Sequence, residues 1–189
     1  MKEVIRASLA FLLFLVLAAL PASTQEPEKT KRLEIVYGPR VGVTWVATSR
    51  QDFDAAIQGV FPADREYFPI FTQFGFSLEQ RIRLGTTQSH FAFQEVLILG
   101  GLDQNIIMPS LSVMIGFRSR IGLEFGLGPN VSLKRSPEGP GVDLSVAYSL
   151  GWTFSFEDVF VPVDIAVIPT PSDGKARITL LTGFNFKNR

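Results

Sequence analysis

The sequence predicts an all-β fold, an antiparallel up-and-down β-barrel of about eight strands with one short helix in its first long loop. Two observations lead to this prediction. Apolar and polar side chains alternate with a period of two along most of the chain after residue 36. Stretches rich in Gly, Pro, Asn, Asp and Ser separate the alternating segments, as turns would. The barrel is predicted as one domain, residues 34–189.

Eight alternating segments are the predicted strands. Their bounds are residues 37–47, 71–84, 90–99, 106–118, 122–133, 144–156, 159–168 and 176–186. The sixth alternates most clearly. The third is apolar on both faces, so the sequence leaves open which of its faces points inward. Proline cannot donate to a strand ladder, so it belongs at strand ends or bulges. Pro39, Pro109 and Pro162 lie near predicted strand starts, and Pro129 is predicted to mark a bulge or an early strand end.

The segments between the strands have turn chemistry. The predicted turns and loops are residues 85–89, 100–105, 119–121, 135–141, 157–158 and 169–174. The first connection, residues 48–70, is the longest, and residues 49–58 within it predict a short capped helix. Outer-membrane barrels have short periplasmic turns and longer outside loops. With both termini on the periplasmic side, this long connection would face outward.

The N-terminal residues have the composition of an export signal. Lys2 and Arg6 supply positive charge, and residues 9–20 form an unbroken apolar run. Twelve helical residues span roughly 18 Å, which is too short for a hydrocarbon core of about 30 Å. Residues 1–22 are therefore predicted to be a signal peptide cut after Ala22, and the protein to be exported. Residues 23–33 are predicted to be a flexible lead-in.

Composition argues against several functions. The chain has 18 basic and 18 acidic side chains with no long block of one sign, so we expect no nucleic-acid partner. It has no cysteine and one histidine, so no disulfide framework is possible and no metal or other cofactor is expected. A catalytic pair built on His90 would need Ser110 or Ser112 nearby. We expect His90 to be a rim residue and the protein to lack catalytic activity.

The make-up of the two strand faces distinguishes a membrane barrel from a soluble one. The polar parity is mostly Gly, Ser, Thr and Ala, which suits the narrow lumen of an eight-stranded barrel better than a face in water. The other parity is large and aromatic, like the girdles of membrane barrels. The predicted membrane-facing aromatic residues are Tyr37, Trp45, Phe74, Phe76, Tyr148, Trp152, Phe156, Phe184 and Phe186. Outer-membrane lipid is thus the predicted surrounding; a soluble periplasmic lipocalin-like binding barrel is the alternative.

Charged residues interrupt the small-residue parity. The predicted lumen charges are Arg40, Glu79, Arg81, Arg83, Arg118, Glu124, Asp164 and Arg177. Because buried charges must be paired, one hypothesis is a salt-bridged plug in a closed barrel. Since arginine outnumbers the acidic residues in this set, the other is a narrow pore for small solutes or anions. We favour the plug, with a structural or surface-interaction role; no specific ligand is predicted.

Several segments carry a resemblance to known proteins. They are residues 71–79, 102–111, 116–118, 122–130, 162–168 and 181–185, of which the Gly-x-Glu-x-Gly-x-Gly-Pro-Asn run of 122–130 is the most specific. They resemble an uncharacterised family of exported bacterial proteins with outer-membrane β-barrel-like character. The resemblance implies a fold and a location, and no activity.

The last predicted strand resembles the C-terminal signal of outer-membrane barrels. Gly183, Phe184 and Phe186 have the expected alternation, although such signals usually end on the aromatic residue and residues 187–189 follow here. The resemblance implies the barrel-assembly machinery as a partner during biogenesis.

Overall fold

The computed structural model describes residues 33–58, 60–61, 65–84, 88–136, 139–157, 159–170 and 175–187. The predicted signal peptide and nearly all of the predicted lead-in lie outside these residues. The strands are β1 (Leu33–Ala47), β2 (Ile70–Arg83), β3 (His90–Gly100), β4 (Met108–Arg118), β5 (Leu123–Ser136), β6 (Gly139–Phe156), β7 (Val159–Thr170), β8 (Lys175–Gly183) and β9 (Asn185–Lys187). Helix α1 (Arg50–Ile57) follows β1, and a 3-10 turn (Leu102–Gln104) follows β3. In the described part of the chain, no helix is both long and apolar enough to cross a membrane.

The strands close into a barrel. Each strand pairs antiparallel with the next, and β1 pairs with both β2 and β8. β8 and β9 are two pieces of one strand, because they continue the same register on β1, with Arg40 opposite Gly183 and Val36 opposite Lys187. The predicted up-and-down barrel of about eight antiparallel strands is therefore confirmed.

The strands are staggered around the barrel. Following the paired residues once round from Ile35 returns to β1 at Trp45, ten residues further along. Closed barrels need such a stagger because their strands tilt relative to the barrel axis. The stagger brings side chains from strands that are not neighbours in the sheet to the same height inside the lumen.

The two ends of the barrel differ. The terminus end carries the start of β1, the end of β9 and the connections after β2, β4 and β6. The loop end carries the connections after β1, β3, β5 and β7, of which residues 48–69 are the longest. The predicted short helix lies in this first connection, as expected. The Ser49 side chain caps α1 by accepting a hydrogen bond of 3.1 Å from the Asp52 backbone N–H.

Side-chain contacts hold the loop end together. The Gln104 amide donates to the backbone oxygens of Ile70 (2.6 Å) and Phe68 (3.2 Å) and accepts from the Phe68 N–H at 2.8 Å. Arg50 forms ion pairs with Asp54 at 3.0 Å and Glu66 at 3.3 Å. The 3-10 turn after β3 is thereby fastened to the chain that leads into β2, and α1 to the same connection.

Two local predictions are wrong. The predicted loop 135–141 is largely strand, because β5 and β6 continue as a long hairpin with Arg135 opposite Pro140; residues 137–138 lie outside the described residues. Gly139, the first residue of β6, has a φ of +123°, a conformation that glycine adopts readily. Pro129 marks neither a bulge nor a strand end. The β4–β5 register is unchanged on both sides of it, and only the pairs near Val113 and Met114 are missing, since proline has no N–H to donate.

Candidate functional site: a charged lumen

The outer surface of the barrel is apolar. All nine aromatic residues predicted to face the membrane are exposed there, from 38% for Tyr37 to 63% for Phe156. Two of these rings stack across neighbouring strands, with the Tyr37 and Phe76 centroids 6.2 Å apart. The distribution of polarity is the reverse of that in a soluble lipocalin-like barrel, which has its charged side chains in water.

β3, whose inward parity was left open by the sequence, is resolved by the structure. Ala92, Gln94, Val96 and Ile98 are buried in the lumen, while Phe91, Phe93, Leu97 and Leu99 are exposed on the outer wall. The aromatic rings at 91 and 93 were a usable signal, because large rings do not fit a narrow lumen. This parity turns Glu95 outward. Among the strand residues whose side chains are described, Glu95 is the one charged residue that faces outward.

A salt-bridge network fills the lumen near the terminus end. Glu79 is completely buried, and its carboxylate accepts two hydrogen bonds of 2.5 Å from Arg118 and one of 2.7 Å from Arg81. Arg118 also forms an ion pair with Glu124, whose carboxylate accepts a hydrogen bond from the Thr153 hydroxyl. We call Glu79, Arg81, Arg118 and Glu124 the Glu79 network.

The network is extended toward the terminus end by two residues outside the predicted lumen set. Arg81 lies 3.9 Å from the Glu34 carboxylate, which accepts a hydrogen bond of 3.1 Å from Lys187. Glu34 precedes the predicted first strand and Lys187 follows the predicted last one. Extending the parity of Arg40 back through Gly38 and Val36 would have placed Glu34 in the lumen.

Arg40 and Asp164 form a second charged group next to the Glu79 network. Arg40 is 97% buried and is attracted by the Asp164 carboxylate, which also attracts Arg118 of the Glu79 network. Neither terminal nitrogen of its guanidinium has a hydrogen-bond partner in the described part of the chain. Both residues line an internal cavity of about 40 Å³, enough for one or more water molecules.

An apolar cluster lies on the loop side of these charges, where it lines the internal cavity together with polar side chains such as Gln73 and Thr179. The buried cluster there consists of Val96, Ile98, Met114, Ala147, Ile168 and Leu181. Arg177 lies beyond it, toward the loop end of β8, and donates a hydrogen bond of 3.0 Å to Asn130. The eight predicted lumen charges are therefore not one group: Arg177 lies apart from the Glu79 network, and Arg83 lies exposed at the opposite end.

A second cavity, which we call the vestibule, lies at the terminus end. It measures about 560 Å³, and its cationic lining residues are Arg81, Arg83, Arg118, Arg120 and Lys187. The vestibule and the internal cavity share no lining residue. Glu79, which lines neither of them, lies buried between the charges that face each cavity. The Glu79 network thus divides the lumen.

No catalytic or metal-binding arrangement involves His90 and the candidate serines. Ser110 and Ser112 lie opposite Ile98 and Val96, far along β3 from His90, which lies opposite Arg118. His90 lines the vestibule, in keeping with a rim position. Among the described residues there is no group of three or more His, Asp or Glu side chains suited to holding a metal ion.

Comparison with known proteins gives structural similarity alone. No protein-family model and no curated protein sequence matches the chain, so the resemblance to an uncharacterised family remains a prediction. Similar solved structures include Ail, the attachment invasion locus protein of Yersinia pestis, with a TM-score of 0.49 and 13% identity over 82% of this chain and 99% of that one. The complex of Ail with the heparin analogue sucrose octasulfate has a TM-score of 0.45 and 14% identity over the same shares. These identities are too low to extend an activity to this chain.

Proposed function

We propose that this chain is a small outer-membrane β-barrel protein with a closed lumen and a structural or surface-interaction role. One observation carries the proposal: a fully buried glutamate is held by two arginines inside a barrel whose outer wall is apolar. An apolar outer wall would face water at great cost in a soluble protein, whereas lipid solvates it. The lipids of the outer membrane are the proposed partners of this wall.

The closed lumen supports a role other than transport. Ions cross a pore through continuous water. Here the Glu79 network and then the apolar cluster lie in the path along the lumen axis. Small eight-stranded barrels have an interior just wide enough for their own side chains. The narrow anion pore is therefore the less favoured function, and no catalytic pairing of His90 with Ser110 or Ser112 supports an enzyme.

The loop end is the proposed interaction surface. Outer-membrane barrels place short turns in the periplasm and longer loops outside. The longest connection, residues 48–69, lies at the loop end with α1 and its ion pairs, opposite the start of β1 and the end of β9. We therefore place the terminus end on the periplasmic side, and we propose that the barrel-assembly machinery recognises the last strand, which includes Phe184 and Phe186.

Cell fractionation tests the location. The tagged protein should sediment with the outer membrane and stay there through a high-salt wash, because an apolar wall is held by lipid and not by surface charge. An abundant inner-membrane protein and an abundant periplasmic protein serve as fraction markers. Recovery in the soluble periplasmic fraction would contradict the proposal and favour the lipocalin-like barrel.

Conductance tests the closed lumen. Purified protein in planar bilayers should give no regular single-channel steps, while a known porin under the same conditions gives them. The variant Glu79→Gly/Arg118→Gly removes side chains that divide the lumen, and it tests whether the measurement detects a lumen opened in this way. Regular steps from the unmodified protein would favour the anion pore over the plug.

A further inference from the structure

The vestibule has the size of a small-molecule site. Its volume of about 560 Å³ falls within the range of about 300–1,000 Å³ that is usual for ligand pockets. Its walls come from the turn after β4, the end of β6 and the start of β7, with Lys187 of β9 on one side. The Glu79 network forms its inner boundary, since Arg81, Arg118 and Glu124 all line it.

The charges of the vestibule do not balance. Five cationic side chains line it, and the acidic groups beside them are Glu34, Glu124 and the buried Glu79. Arg81, Arg118 and Lys187 form ion pairs with these glutamates. Arg83 and Arg120 are exposed and form no ion pair within the described part of the chain, which leaves an excess of two positive charges.

Two buried polar atoms in the vestibule lining also lack a partner. One terminal nitrogen of Arg81 and the hydroxyl of Ser119 have no hydrogen bond among the described residues, although Arg81 is 95% buried. Buried polar groups are nearly always satisfied in native proteins, so an exception calls for a water or a ligand. Arg81 is held in place by Glu79 and by the ring of Phe160, whose centroid lies 4.6 Å from its guanidinium carbon.

We propose that the vestibule binds a small anion that carries a phosphate or carboxylate group, with Arg83 and Arg120 as its main ligands. Guanidinium groups bind both kinds of oxyanion through paired, charge-assisted hydrogen bonds. Ser119 and Arg81 would supply the further hydrogen bonds deeper in the cavity. The site faces the periplasm in the proposed orientation, but binding to the purified barrel does not depend on that orientation.

Calorimetric titration of the detergent-solubilised barrel with sodium pyrophosphate tests the site. The unmodified protein should give saturable binding, and Arg83→Gln/Arg120→Gln should weaken it by about tenfold or more. The matched control is Arg50→Gln/Arg65→Gln, which removes the same charge at the loop end and should leave the affinity unchanged. Each variant is first checked for a heat-modifiable folded band.

Three results would overturn the site. They are no binding by the unmodified protein, equal binding by the folded Arg83→Gln/Arg120→Gln variant, and an equal loss in the loop-end control, which would mean non-specific attraction. Repeating the titration in phosphatidylcholine nanodiscs with and without phosphatidylglycerol identifies the source of the anion. A lipid headgroup would compete and weaken pyrophosphate binding, whereas a free anion as the natural ligand predicts no effect of the added lipid.

Discussion

Two glutamates lie almost side by side in the barrel wall and face opposite environments. Glu79 is opposite Gln94 in the β2–β3 ladder, and the next pair along is Leu78 with Glu95. Glu79 points into the lumen, where two arginines hold it. Glu95 points outward, and no ion pair or hydrogen bond of its carboxylate is found in the described part of the chain. The narrow lumen therefore accepts charge because side chains from several strands converge there, whereas a side chain on the outer wall has neighbours on its own face alone.

The largest expected effect is at Glu79. Glu79→Ala leaves Arg81 without its main partner and Arg118 with Glu124 alone, and removing one partner of a buried ion pair costs about 3–5 kcal/mol. Urea unfolding in detergent micelles measures this loss of unfolding free energy. Glu66→Ala is the matched control, because its pair with Arg50 is exposed and contributes about 0–1 kcal/mol. A loss below about 1 kcal/mol at Glu79 would mean that this part of the lumen is open to water.

Truncation of a side chain in the apolar cluster is expected to destabilise the barrel nearly as strongly. Leu181 lines the internal cavity, and Leu181→Ala enlarges that cavity at a cost of about 2–5 kcal/mol. The adjacent Leu180 is exposed on the outer wall, so detergent fills the space after Leu180→Ala and the loss should be smaller. Equal losses in the same unfolding measurement would show that the loop side of the lumen is not tightly packed.

Glu124 should matter less than Glu79. Its partner Arg118 keeps both hydrogen bonds to Glu79 after Glu124→Ala, so no unpaired buried charge is left. We expect a loss of about 1.5–3 kcal/mol, typical of hydrogen bonds to a charged group. Glu124→Gln keeps the contact with Thr153 and should lose less. A loss as large as that of Glu79→Ala would mean that Arg118 depends equally on both carboxylates.

The smallest effect is expected at Glu95, where the substitution should stabilise the barrel and not destabilise it. Glu95→Leu removes a charge from the proposed lipid-facing wall and should raise the unfolding free energy by about 1 kcal/mol, because acidic residues there are only moderately destabilising. Val113→Ile, on the neighbouring β4 position, is a control for added apolar volume alone. Destabilisation by Glu95→Leu would indicate that the carboxylate has a polar partner in the membrane.

The sequence alone determined which residues share a face, because this depends on the period of two along each strand. It predicted the barrel, the capped helix of the first connection and the outward aromatic residues. It left open which face of β3 points inward, because neither face is polar. It wrongly predicted a loop at Pro140, because turn-forming residues there lie within a strand of the hairpin.

The ion pairs of the lumen, in contrast, depend on how the strands are arranged in three dimensions. Glu79 and Arg118 lie 39 residues apart, and no local pattern relates them. Their contact follows from the curvature of the barrel and the stagger of its strands, which bring together inside the lumen the side chains of β2 and β4, the two neighbours of β3. The vestibule has the same origin, since it joins the start of β1, the turn after β4 and the end of β9. A strand pattern is local, but the height of a side chain inside a closed barrel depends on every register around it.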